Sequence, residues 1–190
     1  MIPSDELNRS LHGAIRLARA DPTGIEHFNA TLQGFWNSLT AAAIVLPGHA
    51  FITWLGYMVE PAEASSERII IVEAISYAIR WTAFQLALFY YCQAIGKSDR
   101  FFHTAVSLNW IAVPITAAQV GLALLMLSGL LGALGGLLPL ILTILVIAYA
   151  TFVAKAALRG TILQAIGPVL IALVIGQIVG VATSRMTGQL

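Results

Sequence analysis

Residues 101–154 contain no Asp, Glu, Lys or Arg, and that one stretch limits the chain to very few kinds of fold. A helix crosses the roughly 30 Å hydrocarbon core of a bilayer with about 20 apolar residues, at about 1.5 Å rise each. The stretch is about twice that length, so it must turn back once. The turn is legible in Ser128-Gly129-Leu130-Leu131-Gly132-Ala133-Leu134-Gly135-Gly136, where glycine is concentrated. Residues 28–59 and 161–183 are also free of charge, and residues 69–94 are interrupted only by Glu73 and Arg80. Five spans result, near residues 35–58, 69–94, 103–128, 133–155 and 161–183.

Charge content agrees. Only 10% of residues are charged and 58% are hydrophobic, whereas soluble domains carry about 25% charge to cover a surface facing water. The expected class is therefore all-α: a polytopic membrane protein, a five-transmembrane-helix bundle over residues 34–190. Residues 1–33 form amphipathic helices at the cytoplasmic interface. The formal net charge of +1 provides no basic face for nucleic acid. The lipid bilayer is the first partner, and a second copy or another membrane protein the next.

Orientation follows from Lys and Arg in the short loops. A cytoplasmic N-terminus places Arg9, Arg16, Arg19, Lys97, Arg100, Lys155 and Arg159 on one side, and only Arg68 and Arg185 on the other. Asp5, Glu6 and Arg9 near the start argue against a cleaved secretory signal, so the first span is expected to stay. These features fit a multi-pass protein of a bacterial inner membrane.

The N-terminal region reads as two amphipathic helices. Over residues 4–20, Leu7, Leu11, Ala14, Ile15 and Ala18 share a face, with Arg9 and Arg16 pointing away. That suits a helix lying in the head-group layer, or one packed on the rim of its own bundle. Asp21-Pro22 ends it. Thr23-Gly24-Ile25-Glu26 then resembles a capping box opening a second helix, which runs through Phe28, Leu32, Phe35 and the interfacial Trp36 into the first span.

No catalytic or cofactor motif is present: no nucleophile elbow, P-loop, zinc-protease helix or dinucleotide fingerprint. No cofactor and no metal are expected. His12, His27, His49 and His103 fall on different segments, and the lone Cys92 reads as a buried, inert thiol.

Arg80 is the residue that needs an account. An arginine in mid-span costs about 2.5–3.5 kcal/mol on insertion scales, and such residues usually face a bundle interior, a cavity or a partner. Glu73 and Tyr77 share its helical stripe. About 10 Å of rise separates Glu73 from Arg80, so a bridge through the Tyr77 hydroxyl or a water is expected in place of a direct pair. Measured from the inner ends, His49 and Arg80 lie about 21 Å deep, and Gln119 and Gln177 about 24 Å. Four spans thus place a strongly polar side chain in one layer. The layer could fix helix register by mutual hydrogen bonding, or form a substrate, lipid or proton site.

Two backbone features complete the reading. Pro47, Pro114, Pro139 and Pro168 fall in four different spans, each freeing a carbonyl and favouring a kink. Ala172, Gly176, Gly180 and Ser184 form a small-residue stripe on the fifth span, suited to close helix contact within the chain or between copies.

Gly34-Phe35-Trp36-Asn37-Ser38-Leu39 opening the first span, Pro47 within it, residues 97–102 leading into a third span with Asn109-Trp110, and two glycine-rich spans after it form a pattern across residues 34–177. It resembles the Yip-domain family of Rab-associated five-span proteins with cytoplasmic N-termini. Asp-Leu-Tyr-Gly-Pro, the opening motif of the family's eukaryotic trafficking members, is absent, so Rab binding is not carried over. The chain is more similar to compact prokaryotic relatives. The function expected is that of a non-enzymatic protein which organises or binds partners within the bilayer. The alternatives are a small transporter built on the Arg80 layer and an accessory subunit of a larger complex.

Topology is directly testable. Reporter fusions after Gly96 and Gly160 are expected to read as cytoplasmic, and those after Glu63 and Leu190 as external; a cytoplasmic C-terminus contradicts an odd number of spans.

Overall fold

The structure, a computed structural model, describes residues 2–130 and 135–189. Among these it is all-α, with seven helices and two short 3-10 turns. Helix α1 spans Ser4–Ala18, α2 Leu32–Ser38, α3 Thr40–Val59, α4 Ser66–Ala94, α5 Phe101–Leu127, α6 Leu138–Leu158 and α7 Ile162–Thr187. Five segments are long and apolar enough to cross a membrane, the first being α2 and α3 together. Their bounds lie within a few residues of the sequence expectation. Residues 131–134 of the expected turn, including the start of the fourth span at residue 133, lie outside the described residues. What precedes them is a turn, with Gly129 in the left-handed region at φ +71°.

Spans adjacent in sequence are not always adjacent in space. Helix α3 packs on α5, α5 on α6, α6 on α7 and α7 on α4, while α4 and α5 touch only lightly. Small residues form the closest contacts. Ala41, Ala105, Ala154, Ala157 and Ala165 are wholly buried, whereas Leu, Ile and Val crowd the exposed outer faces of α4, α6 and α7. Lipid tails are as apolar as Leu, so helices in a bilayer associate through packing and hydrogen bonds; small interface residues permit that approach.

The prolines are accommodated individually. Pro139 stands in the first turn of α6, where no amide hydrogen is required, so it does not kink that span as expected. Pro47, Pro114 and Pro168 lie inside α3, α5 and α7. Pro168 leaves the carbonyl of Gln164 without its helical donor. The Tyr91 hydroxyl donates to that oxygen at 2.8 Å. Gly167 makes this approach feasible, because a Cβ there would overlap the Tyr91 ring.

The N-terminal region differs from expectation in two ways. Asp21, not Thr23, caps the segment Pro22–His27, which is a 3-10 turn. The Thr23 hydroxyl donates to Asp21 Oδ1 at 2.7 Å instead of capping. Residues 28–31 interrupt the helix, which restarts at α2 with the Thr31 hydroxyl accepting from the Gly34 amide. Bonds from Thr23 and then the Arg16 guanidinium hold the Asp21 carboxyl down to about 2.

Helix α1 docks on the bundle. Its buried face is Glu6, Ser10, Gly13, Ala14 and Leu17, offset by about one residue from the Leu7, Leu11 and Ile15 stripe. Leu7 and Leu11 flank the contact half-buried, while Ile15 and Arg9 are exposed. Tyr149 of α6 donates to the Ala14 carbonyl at 2.8 Å. Glu6 accepts from Asn29 at 3.1 Å and Asn37 at 2.7 Å.

The Tyr91 contact yields a prediction. Gly167→Val should destabilise the protein by about 1–3 kcal/mol through overpacking, read as a lowered Tm in detergent. Tyr91→Ala in the same chain should recover much of the loss through coupling of the two sites. A Gly167→Val protein as stable as wild type would mean that Tyr91 does not lie on α7.

Candidate functional site

Arg80 sits midway along α4, roughly 20 Å from either end of the helix. Its guanidinium leans onto α7, where a Cβ at Gly180 would lie 4.0 Å from Nη2. Nε is buried without a hydrogen-bond partner among the described residues. The sole ion pair among those residues is remote from it, Arg16 to Asp21 at 2.7 Å.

The expected bridge from Arg80 to Glu73 does not run through the Tyr77 hydroxyl. Glu73 accepts from the Tyr57 hydroxyl of α3 at 2.9 Å. Tyr77 donates to the Ala42 carbonyl at 2.6 Å. Both groups turn toward α3, whereas the Arg80 guanidinium of the same stripe turns toward α7. The four-residue layer is likewise only partly assembled. His49 stacks at a tilt on Tyr77, ring centroids 4.9 Å apart, one turn from Arg80 on the neighbouring helix. Gln119 and Gln177 are exposed on the outer faces of α5 and α7 and join no such cluster. Depth alone placed them at one level; helix rotation, which depth does not report, turned them outward.

The structure adds a polar chain that the sequence reading missed. Gln85 Nε2 donates to Asn109 Oδ1 at 2.6 Å, Asn109 Nδ2 to the Ser38 hydroxyl at 2.9 Å, and Ser38 to the Phe35 carbonyl at 2.7 Å. These three side chains are buried and tie α2, α4 and α5 together. Their polar character inside spans was the available signal; which helices meet was not.

Beside this chain lies a cavity of about 360 Å³ between α4, α5, α6 and α7, where α4 and α5 stand apart. Arg80, Asn109 and Thr116 supply its polar groups. Trp81, Phe84, Leu108, Val146, Val169 and other apolar side chains supply nearly all the remaining wall. The small-residue stripe is resolved at the same time. Ala172 and Gly176 line the cavity, a Cβ at Gly176 would meet nothing within 4 Å, and Gly180 lies by the Arg80 guanidinium, so the expected close helix contact is not made at these two glycines. Small residues there make room for a guanidinium and an empty space instead of for another helix.

At the loop end of the bundle, cations act on the helix carbonyls. Lys97 donates to the Arg159 carbonyl at 3.2 Å and Arg100 to the Ala157 carbonyl at 3.0 Å, both at the C-terminus of α6, where positive charge is favoured. Cys92 is fully buried there. Among the described residues no three His, Cys, Asp or Glu side chains gather as a metal site.

The fold and the span composition define a multi-pass α-helical membrane protein. Comparisons with protein-family models, with curated proteins and with solved structures find no match to this chain.

The separation of Arg80 from Glu73 can be measured. In a double-mutant cycle, Glu73→Gln and Arg80→Met should add to within about 0.5 kcal/mol. Glu73→Gln and Tyr57→Phe should instead couple by about 0.5–1.5 kcal/mol, the worth of a hydrogen bond. Coupling of similar size in the first cycle would restore the Glu73–Arg80 bridge.

Proposed function

We propose that this chain is a non-enzymatic, multi-pass protein that binds a molecule within the bilayer at the Arg80 cavity, as a compact Yip-domain-like protein of a bacterial inner membrane. Its N-terminus and α1 lie on the cytoplasmic side. The carrying observation is a mid-span arginine with a buried, unpartnered Nε on the wall of an apolar cavity. A charge in that position is expensive to hold, and a purely structural arginine would be expected to find its partners among neighbouring side chains. Glu73 and Tyr77, on the same stripe of α4, are engaged elsewhere. Arg80 is thereby left for a ligand that brings acceptor oxygens or negative charge.

Orientation draws support from the clustering of Lys97, Arg100, Lys155 and Arg159 in the short loops at one end. The Yip-domain likeness rests on the pattern from Gly34 to Gln177. A permeation role is the second reading, favoured by the cavity itself, since a sealed core would have offered no route to Arg80.

A photo-crosslinking side chain at Ala172, which lines the cavity, tests the binding reading in cells. Wild type is expected to capture a discrete adduct, identified by mass spectrometry. Arg80→Met should fold with a Tm near that of wild type, because apolar replacement of a buried charge is often neutral, yet lose the adduct. An Arg80→Met protein that retains the same adduct would make Arg80 architectural.

A further inference from the structure

We infer that the cavity takes an amphiphilic monocarboxylate of medium chain length, its carboxylate on Arg80 and its apolar body along α7; this rests on the binding reading above. Charge sets the first condition. One guanidinium stands at the cavity and, among the described residues, no carboxylate pairs with it. A single negative charge gives a neutral complex, whereas a doubly charged phosphate would leave net charge in a low-dielectric site.

Geometry sets the second. The planar guanidinium fork matches the two oxygens of a carboxylate.

Size sets the third. The α7 wall from Pro168 to Gly176 runs about 12 Å. The volume of 360 Å³ is near the lower end of small-molecule sites, which span about 300–1,000 Å³. Depth points the same way, since Arg80 is midway along its span and a resident lipid keeps its head group at the interface. A free acid with one short chain can leave the interface and bring its carboxylate to that depth.

The test uses the full chain in nanodiscs of zwitterionic phosphatidylcholine and decanoate labelled with ¹³C at the carboxyl, with empty nanodiscs as background. Saturable binding at one per chain is expected, with a shifted carboxyl resonance. Decanol and decylamine should compete at least tenfold more weakly than unlabelled decanoate. Arg80→Gln should weaken binding about 10- to 100-fold, the range a charge-assisted hydrogen bond supports. Gly176→Leu keeps Arg80 but fills the cavity, since a Cβ at 176 meets open space; it should also abolish binding. It serves as the second variant if Arg80→Gln fails to fold.

Equal competition by decanol overturns the inference, because the carboxylate would then not be recognised. Binding of decyl phosphate in preference to decanoate overturns it as well, while leaving an anion site at Arg80. If no decyl compound binds but the Ala172 crosslink still captures an Arg80-dependent adduct in cells, the ligand class is wrong and the binding reading stands. Loss of both removes the two together.

Discussion

In lipid no water is available to satisfy a backbone N–H or C=O, and every other feature of this molecule depends on that constraint. Helices answer it along their length, and the structure shows what is done where helices end or break. Thr161 and Gln164 form a reciprocal capping box at the start of α7. Lys97 and Arg100 reach across to the free carbonyls at the end of α6. The carbonyl that Pro168 deprives of its donor receives the Tyr91 hydroxyl instead. The last two bring side chains from one segment to the backbone of another helix, so backbone satisfaction also helps hold the bundle together.

A second consequence concerns packing. Exposed Leu, Ile and Val on the outer faces lose nothing by facing lipid, so apolar burial supplies little force between spans. Wholly buried alanines, the Gly167–Tyr91 contact and the Ser38–Asn109–Gln85 chain supply specificity in its place. Where small residues bring backbones together the bundle is closed. Between α4 and α5, where contact is slight, it stays open, and the cavity lies there. Arg80 borders this loosely packed part of the bundle.

The N-terminal region is fastened by similar means. Gly13 and Gly24 let the 3-10 turn lie directly against α1, since a Cβ on either would press on the carbonyl of the other. Glu6 joins α1 to Asn29 in the connecting segment and to Asn37 in α2. Helix α1 is consequently part of the bundle's rim, with Ile15 exposed on its outer side.

The number, length and placement of the five spans were determined by the sequence alone, because the bilayer imposes a length and excludes charge whatever the tertiary contacts are. The need to account for Arg80 was legible for the same reason. Rotation of each helix about its axis was not. Depth is read from position along a span, but whether Gln119 faces the core or the lipid depends on which neighbours α5 meets. The pairing of Glu73 with Tyr57 in place of Arg80, the meeting of Ser38, Asn109 and Gln85, and the opening between α4 and α5 all depend on helix order and rotation, which are set by contacts between residues far apart in the chain. At the N-terminus, the Thr23–Glu26 pattern fitted a capping box, yet Asp21, ahead of Pro22, takes the capping role through its local bond with the Thr23 amide. Tertiary structure decided the points within the bundle because a polar side chain in a membrane bundle is satisfied by whichever partner the packing places within reach.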